Sequence, residues 1–309
     1  MTTAIYSHPD CLRHEMGAWH PECPARLQAI DDQLIRSGIA DLLERRDPPL
    51  AELPAVMRNH SAAAIALVRD NLPAAGEYYP LDADTLLGEH SYQAALRAAG
   101  AAMAATDAVI AGDIANAFCS VRPPGHHARP NGPMGFCLFN NVALAALHAL
   151  DSHGLQRVAI VDFDVHHGNG TAESFRDDPR VLMTSFYQHP LYPYSEPEPV
   201  TANQVNIPVP AHSNGDVVRK LVQAQWLPAL HAFQPEMIFI SAGFDAHRED
   251  DLGEMELVEA DYAWITRQIM AVAKLYAQGR IVSCLEGGYN LSALGRSVVA
   301  HVKALAELD

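Results

Sequence analysis

Val158-Ala159-Ile160-Val161-Asp162-Phe163-Asp164-Val165-His166-His167-Gly168-Asn169-Gly170 decides how this chain is read. Val158–Val161 is apolar throughout, the mark of a strand buried on both faces of a parallel sheet. Two carboxylates and an imidazole follow at alternate positions. Alternate residues of a strand share a face, so Asp162, Asp164 and His166 are expected to point one way. They do so at the strand's C-terminal end, where open α/β sheets place their ligands. Oxygen and imidazole donors converging there are the beginnings of a metal site.

Working outward, four more apolar runs read as strands: Ala117–Val121, Val181–Phe186, Met237–Ser241 and Ile281–Leu285. Helical patterns cover Ser91–Ile110, Asn141–Ser152, Asp216–Phe233, Glu256–Ala277 and Leu291–Leu308. The alternation predicts an α/β fold, with a mostly parallel sheet between helices. No repeat or linker divides the chain, so residues 1–309 read as one domain.

The unusual residues follow the predicted strands. A catalytic zinc site takes three protein ligands. Asp164 and His166 supply two, and Asp245, after Ser241-Ala-Gly-Phe, is the expected third. Taken singly, each aspartate could merely cap a helix or close a turn; the pattern across two strand ends argues for the metal. His247 is read instead as a solvated loop histidine. Arg122-Pro-Pro-Gly-His126-His127 holds two histidines on a stiff loop, suited to proton transfer near neutral pH. Tyr289, after Glu286-Gly-Gly, could present its hydroxyl to a developing oxyanion.

Composition narrows the partners. With formal charge −16 and lysine only at 220, 274 and 303, the chain has no basic patch for nucleic acid. The five cysteines are spread out with no CxxC, which points to reduced thiols and a cytoplasmic setting. MTTAIYSHPD has no signal-peptide pattern, and no uninterrupted apolar stretch reads as long enough to span a membrane.

Together, His20-Pro-Glu, Pro24-Ala-Arg-Leu, Arg122-Pro-Pro-Gly-His-His, Asp162-x-Asp-x-His-His-Gly-Asn-Gly and Glu286-Gly-Gly-Tyr resemble the zinc-dependent histone deacetylase superfamily. That family includes bacterial deacetylase-like amidohydrolases and acetylpolyamine amidohydrolases. The resemblance implies the arginase–deacetylase fold, a single domain with an eight-stranded, mostly parallel sheet flanked by helices. It implies one Zn²⁺ on Asp164, His166 and Asp245. It makes His127 the general base and then acid, His126 its electrostatic partner backed by Asp162, and Tyr289 the transition-state donor. Asn169 stands where many members carry the aspartate behind the second histidine. Phe136 and Tyr192 resemble the walls of an acyl-lysine tunnel, and the Gly135 carbonyl the acceptor for the substrate N–H. A structural K⁺ would use Asp162, Asp164, His166, Ser185 and the Phe186 backbone; a second would use carbonyls near Phe175, Asp178 and Val181.

The implied reaction is hydrolysis of an N-acetylated primary amine to release acetate. Acetyl-lysine and acetylpolyamines both stay open as substrates, as does homo-oligomer formation. Two departures bear on specificity: Tyr187 replaces a histidine common in the family, and Ser195-Glu-Pro-Glu-Pro replaces a glycine-rich stretch beside the tunnel. Asp82 or Asp84 could greet a cation near the entrance, although loop termination is the simpler reading. Two rival readings are a binuclear manganese ureohydrolase, which needs further bridging carboxylates, and a non-catalytic sensor of acetylated amines.

Overall fold

The computed structural model describes residues 2–197 and 199–308. The strands are β1 (Thr3–Tyr6), β2 (Glu44–Arg46), β3 (Tyr79–Pro80), β4 (Leu86–Leu87), β5 (Asn116–Cys119), β6 (Val158–Asp162), β7 (Val181–Gln188), β8 (Gln204–Val209), β9 (Met237–Ala242) and β10 (Ile281–Leu285). β3 and β4 form a small antiparallel pair. The other eight make one sheet in the order β2-β1-β5-β10-β9-β6-β7-β8, and every pairing in it is parallel. This is the expected architecture of eight strands between helices, with all strands in one direction.

The four central strands, β5, β10, β9 and β6, are buried at every residue. That is why they read as unbroken apolar runs. Burying each Val or Ile contributes roughly 1.5–3 kcal/mol. The strands that escaped the sequence reading lie toward the sheet's edges. β2 is Glu-Arg-Arg at one edge, β8 carries Pro208 at the other, and β1 has only four residues. Charge and proline are what edges tolerate and central strands do not.

The helices are α1 (Pro9–Leu12), α2 (Ala25–Arg36), α3 (Leu53–Val56), α4 (Ala62–Arg69), α5 (Ser91–Ala111), α6 (Asn141–Asp151), α7 (Asn169–Phe175), α8 (Gly215–Leu221), α9 (Leu227–Phe233), α10 (Glu259–Tyr276) and α11 (Leu291–Leu305). α5 and α6 pack together over β5, β10, β9 and β6, while α10 and α11 pack with each other and α11 with α2. The predicted helix over 216–233 is interrupted by a π-helical turn, Val222–Trp226. Pro228 lacks an N–H and crowds the carbonyl four residues back, which the wider turn relieves. α10 starts three residues later than predicted, because Glu256 and Leu257 bridge to Asn214 and His247.

α5 corrects the membrane expectation. By length and composition it could cross a bilayer, but 67% of its apolar window is buried inside the domain. Its faces are occupied by α6, β5 and β10.

Gly100 sits inside α5, where glycine is costly. The segment before α3 explains it. Ala51 N donates to the Leu96 carbonyl at 2.9 Å, and Arg97 Nη1 donates to the Pro48 carbonyl at 2.7 Å. A Cβ on Gly100 would collide with the Pro49 carbonyl. Gly100→Ala should therefore destabilise the protein, by about 1–3 kcal/mol of overpacking against a helix-propensity gain of about 1 kcal/mol. Urea denaturation tests this; an unchanged or raised midpoint would contradict the close approach.

Candidate active site

Four adjacent central strands deliver the site. β5 leads into Arg122–His127, β6 into Phe163–Asn169, β9 into Gly243–His247 and β10 into Glu286–Tyr289. Parallel register sets Asp162 beside Ser241 and Ser185, and Leu285 beside Ala242, so these loops leave the sheet at one edge.

β6 ends at Asp162, so strand geometry does not itself orient Asp164 and His166. The zigzag is carried on by side chains. Asp162 Oδ1 accepts from Asp164 N at 3.1 Å, and Asp164 Oδ1 accepts from His166 N at 2.9 Å. Each carboxylate thus bonds the amide two residues on, as Asx turns do. Phe163 and Val165 point the opposite way, fully buried in the core.

Asp164, His166 and Asp245 converge, with one donor atom from each lying within 4.8 Å of the others. His166 Nδ1 is 3.0 Å from Asp164 Oδ1 and 3.1 Å from Asp245 Oδ2. Gly287 N donates to Asp164 Oδ2 at 2.8 Å, and Val165 N donates to Asp245 Oδ1 at 2.9 Å. A Cβ on Gly287 would run into both carboxylates, so only glycine leaves them room. Burial alone would depress the His166 imidazole, but its bonds to Asp164 and Asp245 lift it to about 10. Burial, reinforced by Asp164, pushes the Asp245 carboxyl up to about 7. A proton on His166 between two buried carboxylates marks where positive charge belongs, and the donor set, one nitrogen and two oxygens, fits a divalent cation.

Asp162 stays out of that cluster. Its Oδ2 lies 3.0 Å from His126 Nδ1. Burial opposes charge on His126, but Asp164 and Asp162 override it and raise the imidazole well above its ordinary value. His127, its neighbour in sequence, moves the other way. Burial, with His126 and His166 nearby, holds it well below. His127 Nδ1 lies 2.7 Å from Asn169 Oδ1, while the Asn169 amide nitrogen donates to Met134 Sδ at 3.3 Å. With the amide so oriented, His127 carries its proton on Nδ1 and turns a free Nε2 toward the site.

Tyr289 is held by three residues that sequence reasoning left without a role. Arg26 donates to the carbonyls of Gly288 (2.7 Å) and Glu286 (2.5 Å), and its guanidinium lies 4.9 Å from the Tyr289 ring centroid. Asp250 Oδ2 accepts from the backbone N–H groups of Tyr289 and Asn290 at 2.6 and 3.0 Å. Glu22 forms a buried ion pair with Arg26 at 3.0 Å and another with Arg122. Burial raises the Tyr289 phenol well above its usual value, so it remains a donor. Glu286 Oε2 accepts from Gly125 N (2.7 Å) and His126 N (3.0 Å), locking the histidine loop. Arg26, Glu22 and Glu286 lie in the quoted motifs; Asp250, three residues after Phe244-Asp-Ala-His247, carried no such signal.

His127, His166 and Tyr289 line a cavity of about 290 Å³. Gly135, Phe136, Leu191, Tyr192 and Leu252 build its walls, with Asp84 as its carboxylate. Phe136 meets Tyr289 edge-on at 5.8 Å, and Tyr192 meets His127 edge-on at 5.1 Å. Phe136 N donates to Thr85 Oγ1 at 3.0 Å. The two entrance aspartates divide their roles: Asp82 Oδ1 accepts from the N–H groups of Asp84 and Thr85 and shapes the loop, and Asp84 lines the cavity.

His247 corrects the expectation of a solvated histidine. It is buried, its Nδ1 accepts from Glu249 N at 3.1 Å, and it shapes the loop after β9. His167 is no ligand; its ring packs on Tyr187 at 4.5 Å. Ser185 Oγ donates to Asn206 Oδ1 at 2.8 Å, and Trp226 Nε1 donates to the Ser185 carbonyl at 3.2 Å while Trp226 stacks on Phe186. The carbonyls of Phe175 and Asp178 both accept from the Asn203 amide nitrogen, at 3.0 and 3.3 Å. Of the Ser195–Pro199 stretch, Glu198 lies outside the described residues.

A family model described as "Histone deacetylase domain" matches residues 20–305. "Histone deacetylase 14, chloroplastic" of Arabidopsis thaliana is 36% identical, with 99% of this chain and 77% of the relative covered. "Histone deacetylase-like amidohydrolase" of Pseudomonas aeruginosa is also 36% identical, over 91% and 78%. The crystal structure of the HDA15 HD domain superposes with a TM-score of 0.91 at 33% identity, covering 99% of this chain and 90% of the other.

Divalent metal binding should release protons. At pH 8 the His166 proton is the one displaced; below pH 7 Asp245 adds a second, so affinity falls more steeply as pH falls. Calorimetry at pH 8 in buffers of different ionisation heat should show about one proton released per metal. No proton release would remove His166 from the ligand set.

Proposed function

We propose that this chain, which belongs to the histone deacetylase family, is a zinc-dependent deacylase that hydrolyses N-acetylated primary amines, acetyl-lysine foremost. One observation carries the reading. The Asp164–His166–Asp245 cluster, the free Nε2 of His127 and the Tyr289 hydroxyl meet at one aromatic-walled cavity.

Asp164, His166 and Asp245 would hold the Zn²⁺, which supplies Lewis-acid polarisation of the acyl carbonyl and acidification of water. The chain's own residues do the rest. Phe136 and Tyr192 sheathe the alkyl stem of the substrate, and the Gly135 carbonyl accepts its amide N–H. His127 is neutral and takes the proton of the attacking water at Nε2. The same nitrogen then delivers that proton to the departing amine, releasing acetate and a free amine. Tyr289, still protonated, donates to the developing oxyanion. His126, cationic against Asp162, keeps His127 from holding a proton too early.

The cavity walls favour a peptide-borne acyl-lysine over a free polyamine. A polyamine brings further cationic nitrogens, while Asp84 is the only carboxylate among the described residues lining the cavity. The ureohydrolase reading is disfavoured because His126, His127 and Tyr289 stand where a second metal would need bridging carboxylates. A structural K⁺ on Asp162, Asp164, His166, Ser185 and the Phe186 backbone belongs to the same proposal, supported by the Asp162–Ser185 register. Free cysteines at all five positions support a reducing, cytoplasmic setting.

Zinc-loaded protein should deacetylate acetyl-lysine peptides faster than acetylspermidine or acetylputrescine. Tyr289→Phe should lower kcat by about 100-fold or more, as loss of an oxyanion donor does, and His127→Ala by about 100-fold or more, as loss of a proton-transfer group does. Full turnover in both variants would sink the mechanism. Tight binding of acetylated peptides with no acetate released would favour the sensor reading.

A further inference from the structure

A second group of metal-ligating side chains lies far from the active site. Asp107 is in the last turns of α5, His148 is in the last turn of α6, and His153 follows just beyond α6. The Nε2 atoms of His148 and His153 each lie 2.6 Å from the same oxygen, Asp107 Oδ1. Their rings stand nearly perpendicular, with centroids 5.2 Å apart. One donor atom from each of the three residues falls within 4.8 Å of the others, and the two imidazole side chains are 18% and 26% exposed.

α6 begins just after the loops of the active site and runs back along the sheet toward the start of β6. Its eleven residues span about 16 Å, so the cluster sits at the opposite edge. No part of the deacylase machinery reaches it.

The two imidazole nitrogens and the carboxylate oxygen converge from two helix ends on one point, and a single divalent cation placed there would take all three as ligands. Two nitrogens and one oxygen suit borderline late first-row ions and not Mg²⁺ or Ca²⁺. Ligand bonds of about 2.0–2.2 Å put tetrahedral donors roughly 3.3 Å apart, so the Asp107 oxygen need withdraw by under ~1 Å. The net charge of −16 raises the local cation concentration around such a site.

We propose that Asp107, His148 and His153 form a surface metal site for Zn²⁺, Ni²⁺ or Cu²⁺ that clamps the C-terminal ends of α5 and α6 together. Coordination comes from three protein ligands, with solvent completing the shell. The site braces the helix pair and takes no part in turnover.

The test compares untagged, chelator-stripped wild type with His148→Ala/His153→Ala. Equilibrium dialysis against micromolar Zn²⁺ should show one more equivalent bound per chain by wild type than by the double variant. This difference holds whether or not the buried site also fills, so failure of the deacylase reading leaves it readable. Ni²⁺ should raise the wild-type melting temperature by more than that of the variant. Asp107→Asn, which keeps both histidines and the side-chain shape, should lower Ni²⁺ affinity by about tenfold or more, in the range seen when a group supporting a metal site is lost. Cu²⁺ bound to wild type should show splitting from two imidazole nitrogens in its electron paramagnetic resonance spectrum. Equal metal stoichiometry in wild type and the double variant, with both folded by circular dichroism, overturns the proposal.

Discussion

Asp162, Asp164, Asp245 and Glu286 are four carboxylates buried at one edge of a parallel sheet, and the surrounding structure is arranged around their charge. An ionised carboxylate loses its water there, and leaving one without a partner costs several kcal/mol. Each oxygen therefore has its own compensation. Backbone amides of Asp164, Val165, His166 and Gly287 serve Asp162, Asp164 and Asp245. His126 answers Asp162, and the Glu286 carboxylate is met by Gly125 N, His126 N and Ser241 Oγ. Burial pushes Glu286 up to about 7 against that help. The remaining negative charge lies where Asp164 and Asp245 face each other across His166, which is why the cluster calls for a cation.

The same constraint explains which parts of the molecule were legible in the sequence. Central strands must be apolar on both faces, so β5, β6, β7, β9 and β10 stood out as runs that end abruptly in polar loops. Edge strands face no such demand. Glu44-Arg45-Arg46 and Gln204–Val209 pair as strands because their neighbours supply the hydrogen bonds, and nothing in their own composition announces it. Asp164, His166, Asp245 and both histidines were readable because they sit in compact motifs immediately after strands. Asp250 was not, because its work is done through backbone amides of a loop some 40 residues away. His247 misled for a related reason: a histidine in a polar stretch looks solvated until the bridge between His247 and Leu257 folds that stretch over it.

Arg26 shows how distant segments are tied to the loop that carries Tyr289. Its guanidinium reaches the Glu286 and Gly288 carbonyls and lies against the Tyr289 ring, and Glu22 joins Arg26 to Arg122. Burial would raise Glu22, yet Arg122 and Arg26 hold it down at about 2. The pair of arginines thereby links the N-terminal segment, the loop after β5 and the loop after β10 through one ionised carboxylate. Removing one partner of such a buried network leaves an uncompensated charge, so its members constrain each other more than any single bond strength suggests.

The two adjacent histidines are set apart by the charges that surround each ring. His126 and His127 are sequence neighbours with rings 4.1 Å apart, yet one is driven toward the cation and the other away from it. Asp162 behind His126 is a charge; Asn169 behind His127 is a dipole. Both fix a tautomer by accepting at Nδ1, but the full charge of the carboxylate stabilises an imidazolium more than the amide dipole does, and burial with His126 and His166 outweighs the help Asn169 gives. With His126 drawn toward the cation beside it, His127 is held neutral, the state that the proposed reaction requires of a base. Asn169 thus holds the His127 ring in place, while burial and the two neighbouring imidazoles keep its proton affinity low.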